Sequence, residues 1–312
     1  MICKATKFGV DNNFANALPD ADWTRTNRSL ADYVDHMVGA NQDFDGLTGI
    51  PGWHTHNLFE DVVHADCLGV RQYACGPVLL ILAERGIFGP LPTSGSWDAR
   101  LDVALNKAWI QFNNYLKSQH QTCSQSRFRC LQLSMHKKSD FPCLKSKAKN
   151  CVLVSTWLLH VVQGLVSSAA VAVIPADHIL KHIYSMLWGM VSFSDMMHSI
   201  RPRFKLTEIE IARIETYREA YLGSFYMLHV SFARNDRALF NPTFKFHQLD
   251  HLFRRAIRTG IAPFFFWTFS SEDAMGKFAS LSSACHGATV NSVAVSKWLV
   301  YFWHYHFGEA DA

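Results

Sequence analysis

Apolar residues recur along most of this chain at three- and four-residue intervals, the period that turns one face of an α-helix toward a core. From Asp61 to Arg85 the positions Leu68, Val70, Tyr73, Val78, Leu79, Leu80 and Leu82 follow it, and Gly86, Gly89, Pro90 and Pro92 close the segment. Trp97 to Leu116 repeats the pattern through Leu101, Val103, Leu105, Ala108, Trp109, Phe112 and Tyr115. Val152 to Val173 and Asp177 to Ser194 read as buried helices. Lys205 to Asn235 carries Ile211, Ile214, Tyr217, Tyr221, Phe225 and Leu228 at helical spacing behind a Thr207-x-x-Glu210 capping box. Asn241-Pro242 ends that run, and Phe244 to Arg258 follows as an amphipathic helix with Arg254, Arg255 and Arg258 on its polar side. Gly260 to Ser271, with its FFFW group, suits a short strand or a buried loop. Ser271-Glu272-Asp273 has the cap and acidic first turn of a helix running to Gly287. A last helix, Asn291 to His306, would turn Val295, Trp298, Leu299 and Phe302 inward. The pattern predicts a mainly α protein, a helical bundle-like assembly with few short strands.

Four stretches differ in texture. Residues 1–52 are irregular and rich in Asp and Asn, 53–120 are helical, 121–150 form a polar, basic loop, and 151–312 are helical again. If the chain divides, the loop is where the division is expected. Hydrophobic residues at 49% against 18% charged exclude a disordered polymer. The net charge of +4 neither requires nor excludes a nucleic-acid partner, but its distribution is uneven. Between His120 and Asn150 stand Arg127, Arg129, Lys137, Lys138, Lys145, Lys147 and Lys149 against Asp140, a patch able to neutralise DNA phosphates. Eight scattered cysteines and a start without an apolar signal core point to a reducing, intracellular setting. The run Cys151 to Pro175 is long enough to span a bilayer yet carries His160 and Gln163, which favours a core helix over a membrane helix.

Candidate chemistry centres on FEDVVHADCLGV, residues 59–70. With His54 and His56 upstream, Asp61, His64, Asp66 and Cys67 are all competent metal ligands, although no recognised zinc spacing is present. Cys123, Cys130, Cys143 and Cys151 lack the paired spacing of a zinc ribbon, and His286, His304 and His306 read as surface or core histidines. Phosphate-loop, nucleophile-elbow and H-E-x-x-H motifs are missing. The carboxylates Asp61, Glu272 and Asp273 could, if brought together, hold paired Mg²⁺ ions for in-line phosphoryl transfer; capping of helices is the plainer role for each.

Asp61-Val-Val-His64 followed by Cys67-Leu68-Gly69-Val70 resembles the D-x-x-H…L-G signature of DDE transposases from eukaryotic cut-and-paste elements. Pro242-Thr-Phe-Lys-Phe-His247-Gln-Leu-Asp-His251-Leu resembles their P-K-x-H-x-x-x-H-L stretch, and Trp267-Thr-Phe-Ser-Ser-Glu272 the segment carrying the last metal-binding Glu. The Phe141-Pro-Cys-Leu-Lys-Ser-Lys147-Ala block is similar to multicopy transposon-derived proteins of some protist genomes. The resemblance spans Pro51 to His304 and implies an incomplete RNase H-like core with a helical insertion. It further implies DNA strand transfer with Asp61 and Glu272 as catalytic Mg²⁺ ligands, His64 supporting them, a DNA partner and a nuclear location. On this reading Lys137, Lys138, Lys145, Lys147, Lys149, Arg254, Arg255 and Arg258 meet the DNA backbone. The chain departs from the family in two ways: loop-like residues stand where an early Asp on a first core strand is required, and Asp66 and Cys67 replace apolar or basic positions. The expectation is a truncated or decayed, catalytically impaired copy. The alternatives are a non-catalytic nucleic-acid-binding or scaffold protein and a helical membrane protein.

Overall fold

The computed structural model describes residues 3, 13, 15–17, 21–26, 60–135, 140–168, 177–200, 203–266, 280–283, 285 and 289–307. Eight α-helices are used below: α1 Arg71–Glu84, α2 Trp97–Ser118, α3 Ala148–Ser168, α4 His178–Ser199, α5 Glu208–Arg218, α6 Ser224–Ala233, α7 Phe244–Thr259 and α8 Val290–Phe307. The described residues contain no named strand, only an isolated antiparallel bridge between Lys205 and Ile261. The mainly α expectation therefore holds. The β-sheet that an RNase H-like core requires has no counterpart among the described residues, and within the Gly260–Ser271 stretch Pro263–Phe266 form a short 3-10 turn, the residues after it lying outside the described ones.

The chain groups into two units, Met1–Phe266 and Trp267–Ala312. The described parts of the 121–150 loop are bonded within the first unit. In that unit α4 is central, packing against α3, α5, α6 and the turn Glu219–Gly223. Its Leu180, Ile183, Leu187, Met190 and Met197 are buried at helical spacing. Caps fix the helix starts where the sequence placed them: Ser96 accepts the Ala99 N–H, Asp177 accepts the Leu180 N–H, and the Thr207–Glu210 capping box closes reciprocally. The long Lys205 to Asn235 helix is interrupted, since Glu219–Gly223 widens into a π turn between α5 and α6.

Helix α3 is long and apolar enough to cross a membrane, the one such helix among the described residues. Its Cys151, Val154, Leu158 and Val162 are buried, whereas 39% of the apolar window as a whole is buried. In the second unit α8 leaves Val295 and Leu299 exposed, so these two do not turn inward as the periodicity suggests.

Candidate functional site

The quoted motif splits into an outer and an inner half. Asp61 is a helix cap: its carboxylate accepts the N–H groups of Val63 (3.0 Å) and His64 (3.2 Å), and its carbonyl takes the Ala65 N–H at 2.9 Å. The His64 ring closes onto the same carboxylate and remains exposed. Among the described residues no third His, Cys, Asp or Glu converges with this pair. Both carboxylate oxygens thus accept N–H groups at the helix start. Glu272 and Asp273 lie outside the described residues, as do His54, His56 and His286, and the side chains of His304 and His306 are likewise not described.

The inner half serves the core. Val63–Val70 winds as a π segment that kinks at Gly69, whose φ of −125° and ψ of −110° are not helical. A Cβ at Gly69 would lie 2.8 Å from the His64 carbonyl and 2.9 Å from the Lys245 side chain, so the tight crossing needs glycine. Lys245 reaches over this point and donates to the Leu68 carbonyl at 2.7 Å. Beneath it Asp66 and Arg71 form a buried pair, Nη2 to Oδ2 2.6 Å and Nε to Oδ1 3.3 Å. Arg71 also donates to Ser155 Oγ on α3 (2.8 Å) and to Ser194 Oγ on α4 (2.6 Å), while Tyr221 Oη donates to Asp66 Oδ1 at 2.9 Å. Burial opposes the Arg71 charge, but the Asp66 carboxylate beside it prevails and keeps the guanidinium protonated. Burial, reinforced by Asp66, pushes the Cys67 thiol well above its usual range. Asp66 and Cys67 are therefore not metal ligands but parts of a packed polar hub.

A different cluster has metal-ligand character. On α7, His247 and His251 lie one turn apart on the same face, and Cys3 from the N-terminal segment meets them. Cys3 Sγ stands 3.0 Å from His247 Nε2 and 3.3 Å from His251 Nε2, and the two nitrogens are 3.0 Å apart. The imidazole centroids are 4.5 Å apart and the rings nearly perpendicular, so the Nε2 tips converge more closely than the rings do. Trp23 walls the cluster, with its ring centroid 4.3 Å from that of His247 and 4.7 Å from that of His251, and Arg254 lies over the Trp23 face. Burial first, and then the neighbouring His247 and arginines, lower the His251 pKa to about 3, leaving it neutral at physiological pH. The i, i+4 histidine spacing was visible in the sequence; Cys3, 244 residues away from His247, was not. The other cysteine quartet does not assemble among the described residues, and burial raises Cys130 to about 12.

Residues 121–135 and 140–150 of the basic loop pack onto the helices. Phe128 is buried between Phe112 on α2 and Trp157 on α3. Two backbone bonds, Cys143 N–H to Leu133 and Lys145 N–H to Gln132, tie the loop's arms together, and Leu144 N–H donates to Gln72 on α1. A Cβ at Gly76 would sit 3.0 to 3.1 Å from the backbone of Pro142, Cys143 and Leu144, which is why the loop can lie directly on α1. Burial alternates along both arms: Phe128, Cys130, Leu144 and Ala148 are inside, whereas Arg127, Arg129, Lys145, Lys147 and Lys149 are exposed. Arg127 lies over the Trp109 ring at 5.4 Å, and Phe141 is exposed. Lys137 and Lys138 fall outside the described residues.

The three arginines of α7 do not share one outer face. Arg255 is buried near Glu60, and Arg254 is paired with Asp250 (3.1 Å) and stacked on Trp23. Asp250 is also held by Arg218 at 2.6 Å, which donates in addition to the Ala17 carbonyl. Arg258 is the exposed member of the three. Arg254 and Arg255, expected to meet DNA, are thus engaged in internal pairs.

Comparison with protein-family models, curated proteins and solved structures finds no match for this chain.

Proposed function

We propose that this is a transposase-derived protein that binds DNA through the phosphate backbone and no longer carries out strand transfer. The observation that carries the reading is the 121–150 loop: among its described residues five cations, Arg127, Arg129, Lys145, Lys147 and Lys149, are exposed on a segment whose apolar residues anchor it to α1, α2 and α3. A pre-ordered set of cations neutralises phosphates without an added ordering cost, and an exposed aromatic such as Phe141 offers a stacking surface. The D-x-x-H and H-x-x-x-H stretches support descent from a transposase. The engagement of Asp61 as a helix cap supports the loss of chemistry.

Binding of fluorescent duplex DNA across a salt series tests this. The full chain should bind at low salt, and Lys145→Glu, Lys147→Glu and Lys149→Glu together should weaken it at least about tenfold and flatten the salt slope by about two to three. Arg213→Glu on the exposed side of α5 is the control and should change little. Equal behaviour of the triple variant and the control would overturn the assignment of the surface. Mg²⁺-dependent nicking abolished by Asp61→Ala would overturn the non-catalytic part.

A further inference from the structure

We infer that Cys3, His247 and His251 bind a single Zn²⁺ ion that fastens the N-terminal segment to α7. Each imidazole Nε2 offers one lone pair or one hydrogen in the plane of its ring, yet each faces two partners at 3.0 to 3.3 Å. One cation at the centre satisfies all three atoms at once. Tetrahedral zinc places nitrogen ligands about 2.0–2.1 Å and thiolate sulfur about 2.3 Å from the ion, so its ligand atoms lie roughly 3.3–3.6 Å from one another. The observed triangle is slightly tighter, and an ion within bonding distance of its corners lies about 1 Å out of their plane, leaving the far side for a fourth donor.

The donor set selects the metal. A thiolate with two imidazoles suits zinc and does not suit Mg²⁺ or Ca²⁺, which take oxygen. The surroundings suit it as well: Cys3 and His247 are buried, Trp23 covers both rings, and Ala15 and Ala21 complete an apolar shell. Asp250, the position before His251 on α7, is committed to Arg218 and Arg254. The ion would join a cysteine to a histidine 244 residues away, closing a very long loop. Zinc binding and DNA binding use different residues, so either can fail alone.

The experiment is metal analysis of the full chain, stripped with chelator, reloaded with Zn²⁺ or Co²⁺ and desalted. About one zinc per chain should be retained, and the cobalt form should show a thiolate-to-metal charge-transfer band. Cys3→Ser should abolish the band, and His251→Ala, at the half-buried corner, should cut retained zinc to about a tenth or less. Should either variant misfold, the wild-type chain still decides the matter: no retained zinc together with no charge-transfer band overturns the site. A band that persists in a folded Cys3→Ser protein places the thiolate elsewhere and overturns it too.

Discussion

Two buried polar clusters in the first unit are built in opposite ways. At Asp66 and Arg71 a carboxylate accepts from a guanidinium and a tyrosine hydroxyl, and the guanidinium also donates to two serine hydroxyls, each donor aimed at an acceptor. At Cys3, His247 and His251 three atoms of the same character converge, each able to give a lone pair. The first arrangement is complete with protein atoms alone. The second gains its full strength from a cation supplied from outside. A buried polar group is costly unless paired, and the partners present distinguish a structural hub from a binding site.

The sharpest way to break this contrast is at Asp66. Asp66→Ala leaves the Arg71 charge buried without its counter-ion, and an effect of about 3–5 kcal/mol in urea unfolding is expected. Replacing both partners by apolar residues, Asp66→Leu with Arg71→Met, should recover most of that loss. A single variant costing less than about 1 kcal/mol would mean that the hub is not a closed unit.

Metal removal comes next in size. With free zinc at about a hundred times the dissociation constant, the loaded chain should be about 2.7 kcal/mol more stable than the chelated one. Cys3→Ala should erase that difference, whereas the paired Asp66 and Arg71 replacement should retain it. If chelation moves the melting temperature of wild type and Cys3→Ala equally, the two clusters are not different in kind.

The sequence disclosed the helices far better than these clusters. Helix α2 is marked by Leu101, Leu105, Ala108 and Phe112, and α5 by its Thr207–Glu210 box, because period and cap chemistry are local. The hub is not local. Arg71 finds Ser155 and Ser194 at separations of 84 and 123 residues, and Tyr221 reaches Asp66 across 155. Asp66 and Cys67 looked like ligands only because they stand beside Asp61 and His64 in sequence, yet His64 is exposed whereas Asp66 and Cys67 are buried. Arg255 illustrates the converse error: on charge alone it belongs outside, yet it lies against Glu60 in the interior.

A smaller effect concerns the outer half of the motif. Asp61→Ala removes the acceptor of two N–H groups at a helix start and should cost about 1 kcal/mol, while Asp61→Asn should retain most of it. Thermal unfolding of both variants distinguishes a cap from a residue held for chemistry.

The smallest stability effect is expected on the basic loop, where the structural and functional contributions separate most fully. Lys145, Lys147 and Lys149 are exposed, and the loop is held by backbone bonds and by Phe128 and Leu144 beneath. Their replacement by Glu should therefore change unfolding free energy by less than about 0.5 kcal/mol. DNA affinity in the same samples should fall with a flatter salt dependence, because phosphate contacts are lost while the fold is kept. Stability and binding that fall together would instead assign the lysines to the fold, and the loop would join the Asp66 hub as structure without a partner.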